Sequence, residues 1–158
     1  MSQDVVTVER VIPASPEEIF ALIADPSRHH EFDGSGTVRT AKNVPAKLEL
    51  GATFGMNMRI ALPYTMVSKV VEYDENRRLA WQTVPPYRFT DKLAGGRIWR
   101  YELEPVDGGT LVRESWDISQ ERPLTKPMVR QAAEQTRKNM TATLEQLAAL
   151  LTKLPQEA

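Results

Sequence analysis

The sequence predicts an α+β fold: a curved antiparallel sheet of about seven strands closed over by one long C-terminal helix, with two short helices after the first strand. Three observations carry that expectation. "GATFGMNMRI" (51–60) alternates, with Phe54, Met56, Met58 and Ile60 on one face and Thr53, Gly55, Asn57 and Arg59 on the other. Period two is the pattern of a strand with one apolar side. Strand-like runs then follow one another with only short turns between them, which makes neighbours antiparallel and the sheet strongly curved. Finally, "MVRQAAEQTRKNMTATLEQLAALLTKL" (128–154) is amphipathic throughout, about 40 Å of helix at 1.5 Å per residue. A concave sheet needs a cover, and only this helix is long enough.

Taken in order, "VVTVERVI" (5–12) is β-branched and reads as the first strand. "ASPEEIFALIAD" (14–25) opens with helix-start chemistry: Ser15 as N-cap, Pro16 at the first helical position and Glu18 completing a capping box. Ile19, Phe20 and Ile23 supply its buried stripe. Asp25-Pro26 ends that helix and caps a second, short one through "SRHHEF". "DGSG" (33–36) turns the chain into "TVRTAKNV" (37–44), and the alternating stretch follows. "YTMVSKVVEY" (64–73), a turn at "DENR", and "RLAWQTV" (78–84) come next. "PPYRFTDKLAGG" (85–96) is a loop. "RIWRYELEP" and "TLVRESWDIS" form a hairpin around "VDGG", whose glycines permit positive φ.

At 158 residues, with no repeat, low-complexity tract or linker, the expectation is one domain over 1–158. Twenty basic residues against twenty-one acidic give a net charge of −1, which argues against a nucleic-acid groove or a polybasic membrane patch. With no cysteine, disulfides, thiolate metal clusters and a Cys nucleophile are excluded. The N-terminus lacks a basic region followed by an apolar run, and no run approaches the length of a membrane span. The expected location is the cytoplasm, without stable membrane insertion, as a monomer or homodimer.

"VIPASPEEIFALIADPSRHHEF" (11–32), "VVEYDENRRLAW" (70–81), "YELEPVDGGTLVRESW" (101–116) and "NMTATLEQLAALL" (139–151) together resemble the START-like, or SRPBCC, superfamily. Its branches include the polyketide cyclase/dehydrase, lipid-transport and birch-pollen-allergen proteins. The resemblance spans nearly the whole chain; one departure is Phe32, where many relatives have Trp. It implies a helix-grip fold with a cavity between sheet and C-terminal helix. It also implies a hydrophobic ligand such as a lipid, sterol or polyketide, and only some members are enzymes.

Against that background Met56 and Met58 have two readings. Met adapts to varied apolar shapes, which suits a deformable pocket wall, and it is equally an ordinary core filler. Met66 belongs to a strand whose two faces are both too apolar to phase. In the hairpin, Arg97, Trp99, Tyr101 and Leu103 share one face, and Val112, Glu114, Trp116 and Ile118 share the facing one. Matching aromatic faces sets Tyr101 beside Glu114 and Trp99 beside Trp116. A carboxylate then points inward among two Trp and a Tyr, where it must be paired, protonated or ligand-bound. Arg97, Tyr101, or Arg59 across a bulge, are the candidate partners. Glu114 is then either one half of an internal pair or a polar anchor in an apolar site.

"HHEFD" (29–33) invites a metal reading, but adjacent residues of a short helix point about 100° apart and do not converge on one ion. A solvated helix face is the expectation, with no metal and no cofactor; His29 at a pocket mouth is the lesser alternative. "DGSG" lacks the surroundings of a phosphate loop, and Ser35 lacks triad partners. Tyr87 and Phe89 in the 85–96 loop form a lid or pack on the sheet edge. The last helix has an inward stripe of Val129, Ala132, Ala133, Thr136, Met140, Leu144, Leu147, Leu151 and Leu154. Its Leu-rich end reads as dry packing, and its small-residue half as the roof of the cavity.

The site expected from sequence therefore comprises Phe54, Met56, Met58, Trp99, Tyr101, Glu114, Trp116, Thr136 and Met140, binding a hydrophobic small molecule. The alternative is an aromatase/cyclase-type enzyme with Glu114 as general acid or base and Tyr101 or Arg97 polarising a carbonyl. A co-chaperone-like interaction module is a third reading, weakened by the lack of an exposed apolar stripe.

Overall fold

A computed structural model describes residues 4–34, 38–42, 48–59, 63–85 and 95–153, with backbone alone for 38–42, 56–59, 63–65 and 153. Seven strands form one antiparallel sheet: β1 (Val5–Ile12), β2 (Val38–Lys42), β3 (Thr53–Arg59), β4 (Pro63–Asp74), β5 (Arg78–Val84), β6 (Arg97–Val106) and β7 (Gly109–Asp117). Their spatial order is β1-β7-β6-β5-β4-β3-β2. The first two strands in sequence thus lie at opposite edges, and a plain meander from β2 to β7 fills the space between.

The crossing from β1 to β2 is made by helix α1 (Pro16–Ile23) and a 3-10 helix (Pro26–Glu31). Ser15 caps α1 by accepting from the Glu18 N–H, and Pro16 sits in its first turn. Asp25 caps the 3-10 helix through the Ser27 N–H. Both caps satisfy donors that a helix start otherwise leaves to water. Ile19, Phe20, Leu22 and Ile23 are buried, so α1 presents its apolar stripe to the core as its spacing requires.

The predicted hairpin register holds: Trp99 opposes Trp116 and Tyr101 opposes Glu114. The turn is tight because Val106 pairs with Gly109 and Gly108 adopts φ +86°, a conformation in which a Cβ is strained. Strand β4 resolves differently from its appearance in sequence. Ser68 and Val70 are buried, the register shifts between Val70 and Glu72, and beyond the shift it is Tyr73 that packs on the core. A bulge advances the inward phase by one residue. Glu72, turned outward, accepts from Arg100 and pairs with Arg78, while Arg78 also reaches Glu102 and Arg100 reaches Asp117.

The C-terminal helix is not continuous. Helix α2 (Lys126–Arg130) and α3 (Ala133–Lys153) are separated at Gln131 and Ala132, whose N–H groups bond three residues back rather than four. Tertiary ties fix the short segment: Lys126 and Arg130 pair with Asp4, and Val129 is buried beside Trp116 and Ile118. Consequently Ala132 is exposed, outside the inward stripe expected of it. Met140, Leu144, Leu147 and Leu151 do face inward, joined by Thr143 and Ala148. Leu154 lies outside the described residues.

The interior divides into two apolar clusters. One gathers α1, the inner halves of β4–β7 and the end of α3, around Phe20, Leu79, Val112, Leu144 and Leu147. The other gathers Val6, Trp116, Ile118, Val129 and Met140, with Trp99 against it. Val8 packs on both.

Candidate functional site

Glu114 stands at the seam between those clusters. In register it lies between Val8 of β1 and Tyr101 of β6, and on its own strand it is flanked on the same face by Val112 and Trp116. It is 3% exposed. Strict alternation in two unbulged strands puts it there: a residue four positions from Thr110, itself fully buried, must face the same way. Tyr101 opposes the carboxyl across the strand pair, and Oε1 has no partner among the described residues. Burial pushes this carboxyl up to about 8 from its ordinary 4.5, and the like charge of Asp33 adds to the rise. Tyr101 is held well above the usual phenol range by its own burial and then by Glu114. At neutral pH the pair is an uncharged carboxylic acid beside an uncharged phenol.

Arg97 does not join them. It shares the inner face but lies at the end of β6, where its guanidinium meets Glu121 at 3.2 Å. Glu121, whose side chain is fully buried, also accepts from the Gly95 N–H and the Thr125 hydroxyl. The carboxylate that Arg97 requires is thus supplied by the loop after β7. Sequence reasoning missed Glu121 because a loop has no periodicity, and it offered Glu114 as the anion for Arg97 instead.

The second missed pair is His29 and Trp81. His29 is buried, contrary to the expectation of a solvated helix face, and stacks on Trp81 with ring centroids 5.2 Å apart. Its Nε2 lies 2.8 Å from the Ile23 carbonyl, which can only accept, so Nε2 carries the proton. Burial lowers this imidazole to about 4. Phe54 meets both rings edge-on, and Trp81 reaches Tyr101 at 5.8 Å. An aromatic row therefore runs from the 3-10 helix to the Glu114 pair.

Of the residues expected from sequence, Tyr101, Glu114, Trp99 and Trp116 come together on the hairpin, the two indoles 6.4 Å apart. Met140 joins Trp116 in the second cluster, and Thr136 is half-buried one turn earlier. Phe54 belongs to the first cluster, beside His29 and Trp81. Met56 and Met58 pair by backbone with Met66 and Tyr64; their side chains, the Arg59 side chain, Ser35 and loop residues 86–94 lie outside the described residues. Among the described residues no group of three or more His, Asp and Glu could hold a metal ion, and no helix is long and apolar enough to cross a membrane.

The two displaced titrations act oppositely on stability. Glu114 binds its proton more tightly when folded, so its contribution is complete below pH 4.5 and lost as pH rises to about 8. His29 resists its proton when folded, so its contribution is complete above 6.5 and lost as pH falls to about 4. Between 4.5 and 6.5 the slopes offset each other; from 6.5 to 8 only the fall from Glu114 remains. The unfolding free energy from urea melts should therefore decline over that upper range, by about 1.4 kcal/mol per pH unit at most. The decline should vanish in Glu114→Gln; a decline that persists in that variant would assign it elsewhere.

A family model described as polyketide cyclase/dehydrase and lipid transport matches residues 3–152. The Mycobacterium tuberculosis protein Rv0088 is 39% identical over 113 residues, covering 70% of this chain and 45% of that protein; the chain spans less than half the length of this relative. Among solved structures, CV1439 from Chromobacterium violaceum superposes with a TM-score of 0.69 at 18% identity, over 95% of this chain and 98% of that one. DynU16, a protein of the dynemicin biosynthetic locus, gives a TM-score of 0.65 at 16% identity, over 94% of this chain and 47% of that one. At such identities the likeness concerns the fold.

Proposed function

Because the chain belongs to the polyketide cyclase/dehydrase and lipid transport family, we propose that it binds a hydrophobic small molecule between the sheet and α3. Glu114 and Tyr101 are the polar anchor in this reading. It rests on one observation: a buried carboxyl with an oxygen unpartnered among the described residues, on a strand face it shares with Val112 and Trp116. Small-molecule sites are commonly apolar interiors with a few convergent polar groups. Met56, Met58, Thr136 and Met140 are assigned to the apolar wall and roof. Purified protein, extracted under denaturing conditions and analysed by mass spectrometry, should release a hydrophobic compound. After delipidation it should bind an apolar naphthalene dye near one equivalent, quenching tryptophan emission. Absence of both a released compound and dye binding would remove the proposal.

The near-neutral titration of Glu114 favours a second reading, a cyclase-type enzyme in which this group is the general acid or base. Turnover of a poly-β-ketone thioester that disappears in Glu114→Gln, with binding retained, would select it over simple carriage.

A further inference from the structure

The orphaned oxygen and the charges around it restrict what such a molecule can be. We infer that the ligand presents a neutral hydrogen-bond acceptor, a ketone, ester or amide carbonyl, to Glu114 Oε1, and that carboxylate-headed molecules are disfavoured. This deepens the proposed reading and rests on it.

Three observations lead there. First, Glu114 faces Tyr101 on the neighbouring strand, and nothing among the described residues meets its Oε1. Buried polar atoms in folded proteins are overwhelmingly partnered, so an orphan is a place for a water or a ligand atom, and an apolar surrounding favours the ligand. Second, the acid is uncharged at neutral pH, its titration lying at about 8. A carboxylic acid then has one O–H to give, and it seeks an acceptor.

Third, no counter-charge for an anion is at hand among the described residues. From the segment after the 3-10 helix Asp33 acts on Glu114 with like charge. His29 of the 3-10 helix is neutral and its N–H is taken by Ile23. Arg97 on the inner face of β6 is held by Glu121. Arg100 and Arg113 belong to outward positions, paired with Glu72 and Glu9. Across the sheet, β1 offers Val8, and from the helix come Met140 and Leu144. A ligand carboxylate would be an isolated buried charge beside another acid, which is the costly case. A carbonyl meets no such penalty.

Matched ten- and eleven-carbon probes test this on delipidated full-length protein at pH 6.5: 2-undecanone, undecane and decanoate. The ketone should bind at least about tenfold more tightly than either, a difference of about 1.4 kcal/mol. Its advantage over undecane should persist in Glu114→Gln, which keeps an N–H donor, and disappear in Glu114→Leu. In the native protein it should fade above pH 8. Decanoate binding as tightly as the ketone, or an unchanged ketone advantage in Glu114→Leu, overturns the inference. If undecane binds as well as the ketone, interior binding stands and the inference alone fails. If no probe binds, the proposed function falls and this inference falls with it.

Discussion

Leu147→Ala is expected to destabilise the protein by about 2–5 kcal/mol, the range for truncating a large aliphatic side chain in a packed core. Leu147 is fully buried on α3, within the cluster that includes Ile19, Ile23, Leu79, Val112 and Leu144. Those neighbours come from α1 and from several strands, which are themselves tied by ladders and caps and collapse little into the space vacated. The cost therefore combines lost transfer energy with a residual void. Leu124→Ala is the control: Leu124 is 71% exposed, and its truncation should stay within about 0.5 kcal/mol. Urea melts of both variants check the phasing of α3 against the sheet, which would be wrong if they behaved alike.

Gly34→Ala is expected to cost about 3 kcal/mol or more, the upper part of the overpacking range. A Cβ at Gly34 would lie 2.3 Å from the Asn139 carbonyl oxygen and 2.5 Å from the Thr143 nitrogen. Both are backbone atoms of α3, so no rotamer change relieves the contact and either the helix or the turn must move. The same approach permits the Gly34 N–H to donate to Thr143 Oγ1 at 2.8 Å, while that hydroxyl donates to the Asn139 carbonyl. Thr143→Ala removes the hydrogen bond without adding an atom and should cost about 1 kcal/mol. A Gly34→Ala protein that melts no lower than Thr143→Ala would show that the two segments separate easily.

What could be read from the sequence, and what could not, follows from where period and parity are preserved. In β6 and β7 neither strand carries a bulge and a tight turn sets the offset, so alternation alone placed Tyr101 against Glu114. In β4 the bulge near Val71 reverses parity halfway along, and no single phase describes the strand. His29 was misplaced for a different reason. The segment is a 3-10 helix, in which side chains three apart eclipse, so Pro26, His29 and Phe32 share one buried face. A step of 100° per residue sends them apart. The break before α3 contains neither Gly nor Pro, and the segment preceding it is tied by ion pairs to Asp4, over a hundred positions away in sequence. Arg97 was legible as inward but not its partner Glu121, since distance in sequence says nothing about which loop returns to a strand end. The Glu114 pair was visible in the pattern; its missing hydrogen-bond partner was not, because that depends on every side chain around it.

The strand order has a consequence for how the chain assembles. β1 is synthesised first, yet its only neighbour in the sheet is β7, and Val8 must find Glu114 roughly a hundred residues later. Closing so long a loop is entropically costly, and the pairing it achieves covers one side of the strand that carries the acid. In the unfolded chain Glu114 is hydrated and ionised at neutral pH, whereas burial in the folded chain pushes it up to about 8. Folding is thus coupled to the uptake of a proton, and part of the seal that demands it comes from a strand roughly a hundred residues away in sequence.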